Sequence, residues 1–139
     1  MKMQADDYIA YANAQLERLL VYETVFKEYV HTAKNIEKGN CYASESLERL
    51  RDYFSKNVLR FTKFIGEVEA VTPPAGFCNF HAELVGGLQD MSHAVSVTLM
   101  GIEPTGVNHQ LFDVGCVQEA AARTRIDHAF DQLHQPQAM

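Results

Sequence analysis

The sequence has few of the features typical of secreted proteins, membrane-spanning proteins or proteins with a structural metal site. It contains no tryptophan, only three cysteines in 139 residues, and no apolar run near the ~20 residues that a membrane helix needs. Cys41, Cys78 and Cys116 are odd in number and too widely spaced for a zinc-binding pair, so we expect free thiols. The first residues carry acidic side chains and no apolar core, which predicts no secretory signal and a soluble, cytoplasmic domain.

Basic residues are scarce in the second half of the chain. The net charge is -6, and residues 71–139 have no lysine and two arginines against seven acidic residues. An acidic surface repels phosphate, so we predict neither general nucleic-acid binding nor membrane association. The same half carries five of the six histidines and six of the eight glycines. Interface cores are poor in lysine, so this half is a candidate contact surface, with compositional drift as the alternative.

Between a few short breaks, the sequence has the periodicity of helices. Apolar residues recur at steps of three and four, which predicts helices over about 6–38, 43–71, 77–102 and 108–133. Glycine and proline mark the three breaks. Short connections favour antiparallel neighbours, so the predicted fold is all-α: an antiparallel up-down-up-down four-helix bundle in one domain over residues 1–139. Nothing in the pattern implies a cofactor.

Polar residues interrupt three of the apolar stripes. Glu23 lies on the first helix, Asn57 beside the stripe of the second and Glu119 on the fourth. Because the loops are short, we expect all three at one level in the middle of the bundle. A buried carboxylate pair has at least one raised pKa, and such a layer could bind a cation or a small polar ligand. The alternative is that the helices rotate and the glutamates reach solvent.

A glycine pair in the third helix predicts close helix packing. The same level argument places Gly86 and Gly87 opposite the alanines at 120–122, where small residues face small residues. We therefore predict that the third and fourth helices form the tightest pair. The alternative is a glycine-lined groove that accepts a ligand or a partner helix.

The histidines offer no clear metal site. Three pairs have the carboxylate-x-x-His spacing that di-iron bundles use, namely Glu28/His31, Asp90/His93 and Asp131/His134. Because Glu28, Asp90 and His93 fall away from the apolar stripes, we expect solvated pairs and no metal. His81 differs, since it lies near an apolar face and is expected to hydrogen-bond Tyr11 at the same level.

One six-residue stretch has the spacing of a known catalytic motif. Arg123 and His128 are separated by four residues, and this resembles the active motif of HEPN-type RNA-cleaving domains, which are also small helical bundles. The resemblance implies that Arg123 stabilises phosphate charge and that His128 acts as acid or base. We expect both to point away from the stripe of Ile126 and Phe130, as a surface site requires. The acidic net charge argues against this function.

The start of the third helix and the aromatic residues of the first complete the prediction. Thr72-Pro73-Pro74, followed by Phe80, His81, Leu84 and Val85, resembles a helix start of uncharacterised bacterial four-helix-bundle proteins, which implies a bundle and no activity.

The first helix carries an aromatic flank, which consists of Tyr8, Tyr11, Tyr22, Phe26 and Tyr29. This flank is either the margin of the core or a self-association seam.

Three functions follow from these patterns, in order of preference. The leading hypothesis is a non-enzymatic interaction module that forms a homodimer or binds a protein partner. The second is a bundle that binds a small ligand or a metal at Glu23, Asn57 and Glu119. The third is the RNA-cleaving domain.

Overall fold

The computed structural model describes residues 3–39 and 46–133, and within these ranges the chain is mostly helical. The four helices are α1 (Ala5–Glu37), α2 (Leu47–Glu69), α3 (Cys78–Met100) and α4 (His109–Leu133). Between α3 and α4, β1 (Ile102–Glu103) pairs antiparallel with β2 (Gly106–Val107) in a short hairpin. The predicted all-α four-helix fold is therefore confirmed. Cys41 and residue 43, the predicted start of the second helix, lie outside the described residues. Ser46, which the prediction placed inside that helix, is extended, and α2 begins at Leu47.

The helix boundaries have local causes. The Ser46 hydroxyl accepts a hydrogen bond from the Arg49 amide (3.1 Å), and the Asn108 side chain accepts one from the Leu111 amide (3.2 Å). Both are side-chain caps that satisfy free amides at a helix start. Past the end of α1, Gly39 adopts a left-handed φ of 76°, which glycine tolerates best. The predicted ends at 71 and 102 were too late, because Val71 lies in a bend and Ile102 enters the hairpin.

Neighbouring helices run in opposite directions. Arg18 of α1 pairs with Glu67 near the end of α2, whereas Tyr29, further along α1, contacts Asn57, which comes earlier in α2. The partners of α1 on α4 likewise run backwards, from Arg123 at mid-helix to His109 at its start. Since α3 and α4 are also antiparallel across their hairpin, α1 and α3 point one way and α2 and α4 the other.

Aromatic rings fill the space between α1 and α2. The Phe26 ring is fully buried, stacks on Phe54 at a centroid distance of 5.6 Å and meets Phe61 edge-on at 5.5 Å. Tyr22 and Tyr29 pack against the same phenylalanine cluster. The aromatic flank of α1 is thus the margin of this core, because α2 and α3 cover it within the same chain.

The α3–α4 pair makes the most extensive helix contact, as predicted, but through different residues. A β-carbon on Gly115 would lie 2.5 Å from the Thr98 amide nitrogen, so the two backbones meet there. The predicted match of Gly86 and Gly87 with the alanines at 120–122 was wrong. These glycines face Arg125 and Ile126, because the close approach at Gly115 fixes the helix level.

By contrast, the backbones of α1 and α4 hardly approach each other. Two side-chain contacts span the distance instead: the ion pair of Glu23 with Arg123 near the middle, and a hydrogen bond of 2.8 Å between the Glu37 carboxylate and His109 Nε2 at one end. This wider separation leaves a groove between the two helices. Within the described ranges, no helix is both long and apolar enough to cross a membrane.

Candidate functional site

The α1–α4 groove holds a cavity of about 400 Å³ with mixed chemistry. Its lining residues are Glu23, Lys27, Val30, Cys116, Glu119, Ala120 and Arg123. On each helix these residues recur at steps of three or four, so each helix presents one continuous strip to the groove. A volume of this size lies at the lower end of the range for small-molecule sites.

Arg123 is the structural centre of the groove. Its guanidinium pairs with Glu23 across the groove, and its Nε donates to Asp127 of its own helix at 2.7 Å. The Glu23 side chain is only 13% exposed, and the Arg123 side chain 26%. Burial raises the pKa of Glu23, although the neighbouring cations Arg123 and Lys27 oppose the increase. One guanidinium thus holds two carboxylates and fixes the distance between α1 and α4.

Glu119 has a different environment. Burial raises its pKa to about 7, and the neighbouring Glu23 carboxylate adds to the increase, whereas Lys27 opposes it. In the described part of the chain, the Glu119 side chain takes part in no hydrogen bond or ion pair. The contacts of the Arg123 guanidinium go to Glu23 and Asp127 and not to Glu119. Near neutral pH this carboxyl is therefore a mixture of its protonated and ionised forms.

The remaining walls of the groove are the Lys27 ammonium and the side chains of Val30, Cys116 and Ala120. Lys27 and Ala120 are exposed, whereas Val30 and Cys116 are half-buried. Burial raises the pKa of the Cys116 thiol, and the nearby Glu119 adds to that increase. The thiol is therefore a neutral wall of the groove rather than an activated nucleophile.

Asn57 does not join the two glutamates. Its amide donates to the Tyr29 hydroxyl at 2.6 Å and to the Tyr53 carbonyl at 3.1 Å, on the α1–α2 side of the molecule. Tyr22, which precedes Glu23, packs instead against Phe61 and Phe64. Asn57 therefore lies opposite Tyr29, six residues after Glu23, which is between one and a half and two helical turns from the predicted level.

Arg123 and His128 face different helices. Arg123 points toward α1, so the expected outward direction was wrong for this residue. Its spacing of three residues from Ile126 and seven from Phe130 places it beside the buried face of α4. His128 is exposed, contacts Gln132 and lies on the α3 side of the molecule near Glu83, whose pKa is lowered mainly by its hydrogen bonds to Arg125 and only slightly by His128. This arrangement brings the two side chains to no common phosphate site.

The three carboxylate-x-x-His pairs remain separate from the groove. Glu28, His31, Asp90 and His93 are all exposed, and His134 lies outside the described residues. Among the residues that the structure does describe, no three His, Cys, Asp or Glu side chains could hold a metal ion together.

His81 is part of a buried hydrogen-bonded pair. Its Nδ1 lies 2.6 Å from the Tyr8 hydroxyl, so its partner is Tyr8 and not the predicted Tyr11. Burial lowers the pKa of His81, and the Val68 carbonyl partly opposes this decrease. The buried Nε2 of His81 nevertheless has no hydrogen bond of ordinary geometry within the described residues. These surroundings fit a neutral imidazole whose Nδ1 accepts a hydrogen bond from the Tyr8 hydroxyl.

The Tyr8→Phe substitution should lower the free energy of unfolding by about 1–3 kcal/mol, because it leaves the buried Nδ1 of His81 without a donor. Tyr11→Phe is the matched control and should change stability by less than about 0.5 kcal/mol. Urea denaturation near neutral pH measures both variants. Equal losses in the two variants would contradict the assigned pair.

The raised pKa of Glu119 predicts pH-dependent stability. A carboxyl that titrates at about 7 when folded and at 4.5 when unfolded destabilises the folded state as the pH rises through that interval. Glutamine does not titrate, so Glu119→Gln should be more stable than the wild type near pH 8, by on the order of 1–2 kcal/mol after allowance for solvent screening. The gain should vanish below the unfolded pKa. Glu28→Gln, an exposed control on α1, should show no such trend.

No protein-family model, curated protein or solved structure matches this chain. Sequence reasoning identified Glu23 and Glu119 but missed Lys27 and Cys116. Their spacing carried a usable signal, since Lys27 is four residues after Glu23 and Cys116 three residues before Glu119.

Proposed function

We propose that the protein is a small helical binding module whose ligand site is the α1–α4 groove. The observation that carries this proposal is a cavity of about 400 Å³ at the one adjacent helix pair whose backbones hardly approach. Four-helix bundles build ligand sites from side chains on facing helices, and this groove has both charged and apolar walls.

The charge arrangement favours binding over catalysis. Arg123 is held by two carboxylates, the Cys116 thiol has a raised pKa, and none of the described residues that line the cavity is a histidine. General acid–base or nucleophilic chemistry needs a mobile proton carrier or an activated nucleophile at the site. Among the described residues that line the cavity, Glu119 has a pKa of about 7, and a carboxyl beside an apolar wall is suited to selecting a ligand by charge.

Filling the groove tests the proposal. Ala120 lines the cavity, whereas Ala121, also exposed, lies beside Arg125 and Asp90 on the α3 side of α4. Ala120→Phe should abolish binding of any ligand that ligand-observed NMR detects in a panel of small cations, anions and neutral molecules. Ala121→Phe, the same substitution on the other side, should preserve it. A wild-type protein that binds nothing in the panel, or binding that Ala120→Phe leaves unchanged, would contradict the proposal.

Self-association is the second candidate, and it follows the leading hypothesis from the sequence. Its support is a set of large apolar side chains left exposed beside the groove, of which Val117 is 70% exposed, Leu20 46% and Val114 42%. A second copy of the chain could cover them. Light scattering at tens of micromolar should then give the mass of a dimer, and Val117→Asp should give a monomer. A monomeric wild type would remove this candidate.

A further inference from the structure

Among the charged side chains that line the α1–α4 groove, one partly buried group has no partner. Of its four charged side chains, Glu23 and Arg123 bind each other, and Lys27 is exposed to water. Glu119 is left with the cavity in front of it and, within the described residues, no hydrogen-bond donor on its oxygens. A ligand that supplies such a donor would fill that place.

The walls around Glu119 define the rest of the ligand. Val30, Ala120 and the neutral Cys116 thiol offer apolar surface next to the carboxyl. We propose that the groove binds an organic monocation, a primary ammonium on a compact apolar body, with Glu119 as the partner of the ammonium. This inference rests on the proposed function and names the ligand class for the same groove.

Other charge classes fit the groove less well. An anion would find only the exposed Lys27, which water screens, because Arg123 already binds Glu23 and Asp127, and the two glutamates would repel a further negative charge. A divalent metal ion takes several oxygen ligands, and the groove offers only two carboxylates, one of them already paired with a guanidinium. A singly charged ammonium needs one carboxylate, and its apolar body would displace water from Val30 and Ala120.

The proposal predicts how affinity depends on pH. The groups that face Glu119 are Glu23 and Lys27 from α1 and Cys116 from its own helix, with Arg123 next to them. Only ionised Glu119 pairs with an ammonium, so below pH 7 the proton must leave for the buffer as the ligand binds. With a pKa of about 7 in the free protein, affinity should rise about tenfold between roughly pH 6 and pH 8.

Three probes with closely matched skeletons separate the charge classes. These are phenethylammonium, neutral 2-phenylethanol and anionic 3-phenylpropanoate, each titrated into the full chain at millimolar concentration with NMR detection. The variants are Glu119→Gln and the exposed control Glu28→Gln, with circular dichroism to verify folding. Because glutamine relieves an unfavourable buried charge, Glu119→Gln is expected to fold.

The expected result is preferential binding of phenethylammonium, about tenfold tighter near pH 8 than near pH 6. Glu119→Gln should remove both the preference and the pH dependence, whereas Glu28→Gln should keep them. If the neutral or anionic probe binds equally well and Ala120→Phe abolishes that binding, the groove is a site but the inferred ligand class is wrong. If no probe binds at either pH, the ammonium inference is overturned; the wider ligand panel then decides the proposed function independently.

Discussion

Phe26→Ala should lower the free energy of unfolding by about 3–5 kcal/mol, the usual cost of replacing a buried phenylalanine with alanine. The ring is fully buried and touches Tyr22, Phe54 and Phe61, so its removal opens a cavity where α1 and α2 share the core. Few neighbours can collapse into that space, because the surrounding rings are held by one another. Urea or thermal denaturation measures the loss.

Two further variants make the result for Phe26 interpretable. Tyr53→Ala removes an aromatic ring that is 51% exposed and should cost less than about 1 kcal/mol. Phe26→Leu keeps most of the apolar volume and remains measurable if the alanine variant does not fold. A loss below about 1 kcal/mol in Phe26→Ala would mean that this ring is not central to the core.

Gly115→Ala should destabilise the fold by about 1–3 kcal/mol, although alanine is the better helix former. The new β-carbon would lie 2.5 Å from the Thr98 amide nitrogen and 2.9 Å from the Ala94 carbonyl oxygen. Both atoms belong to the α3 backbone and cannot rotate away. The two helices must therefore separate along the most extensive contact in the molecule.

The same substitution at Gly66 should have the opposite sign. Gly66 lies within α2, and a β-carbon there would meet nothing within 4 Å. Gly66→Ala should therefore stabilise the protein by about 0.5–1 kcal/mol through helix propensity and a less flexible unfolded chain. If denaturation shows the two alanine variants changing stability in the same direction, the close α3–α4 contact is not where the structure places it.

The sequence was a good guide to which residues form helices and which faces they bury. Phe54 and Phe61, which are seven residues apart in the helix predicted over about 43–71, are both buried in the structure. Periodicity succeeds here because the 3.6-residue repeat depends only on local geometry and on the need to hide apolar side chains from water. The Ser46 cap and the left-handed Gly39 are similarly local features.

The sequence was a poorer guide to which residues of two neighbouring helices lie opposite each other. Loop length suggested that Gly86 and Gly87 would face alanines, but the backbone contact at Gly115 sets the α3–α4 level instead. The signal was present as a seven-residue spacing of small residues, since Gly115, Ala122 and Ala129 are all buried on one face of α4. Such a stripe indicates where backbones approach, which loop length alone does not.

Only part of the groove could be predicted, because its residues depend on how the helices are shifted along one another. Glu23 and Glu119 were placed together because an error of one turn still leaves them on facing strips. Asn57 was misplaced, because the α1–α2 level is fixed by the packing of Tyr22 and Phe26 on the α2 phenylalanines. Arg123 was assigned an outward direction, although its spacing from Ile126 already placed it at the margin of the core.

The most direct test of the account is the titration of the Glu119 carboxyl, followed by carbon-13 NMR of labelled glutamate side chains in the folded protein. If α1 and α4 enclose this carboxyl beside Glu23, its pKa is about 7 and falls in Glu23→Gln, where the neighbouring negative charge is gone. If Glu119 titrates near the ordinary value of 4.5 in the wild type, and Glu23→Gln leaves that value unchanged, the groove does not exist in the form described.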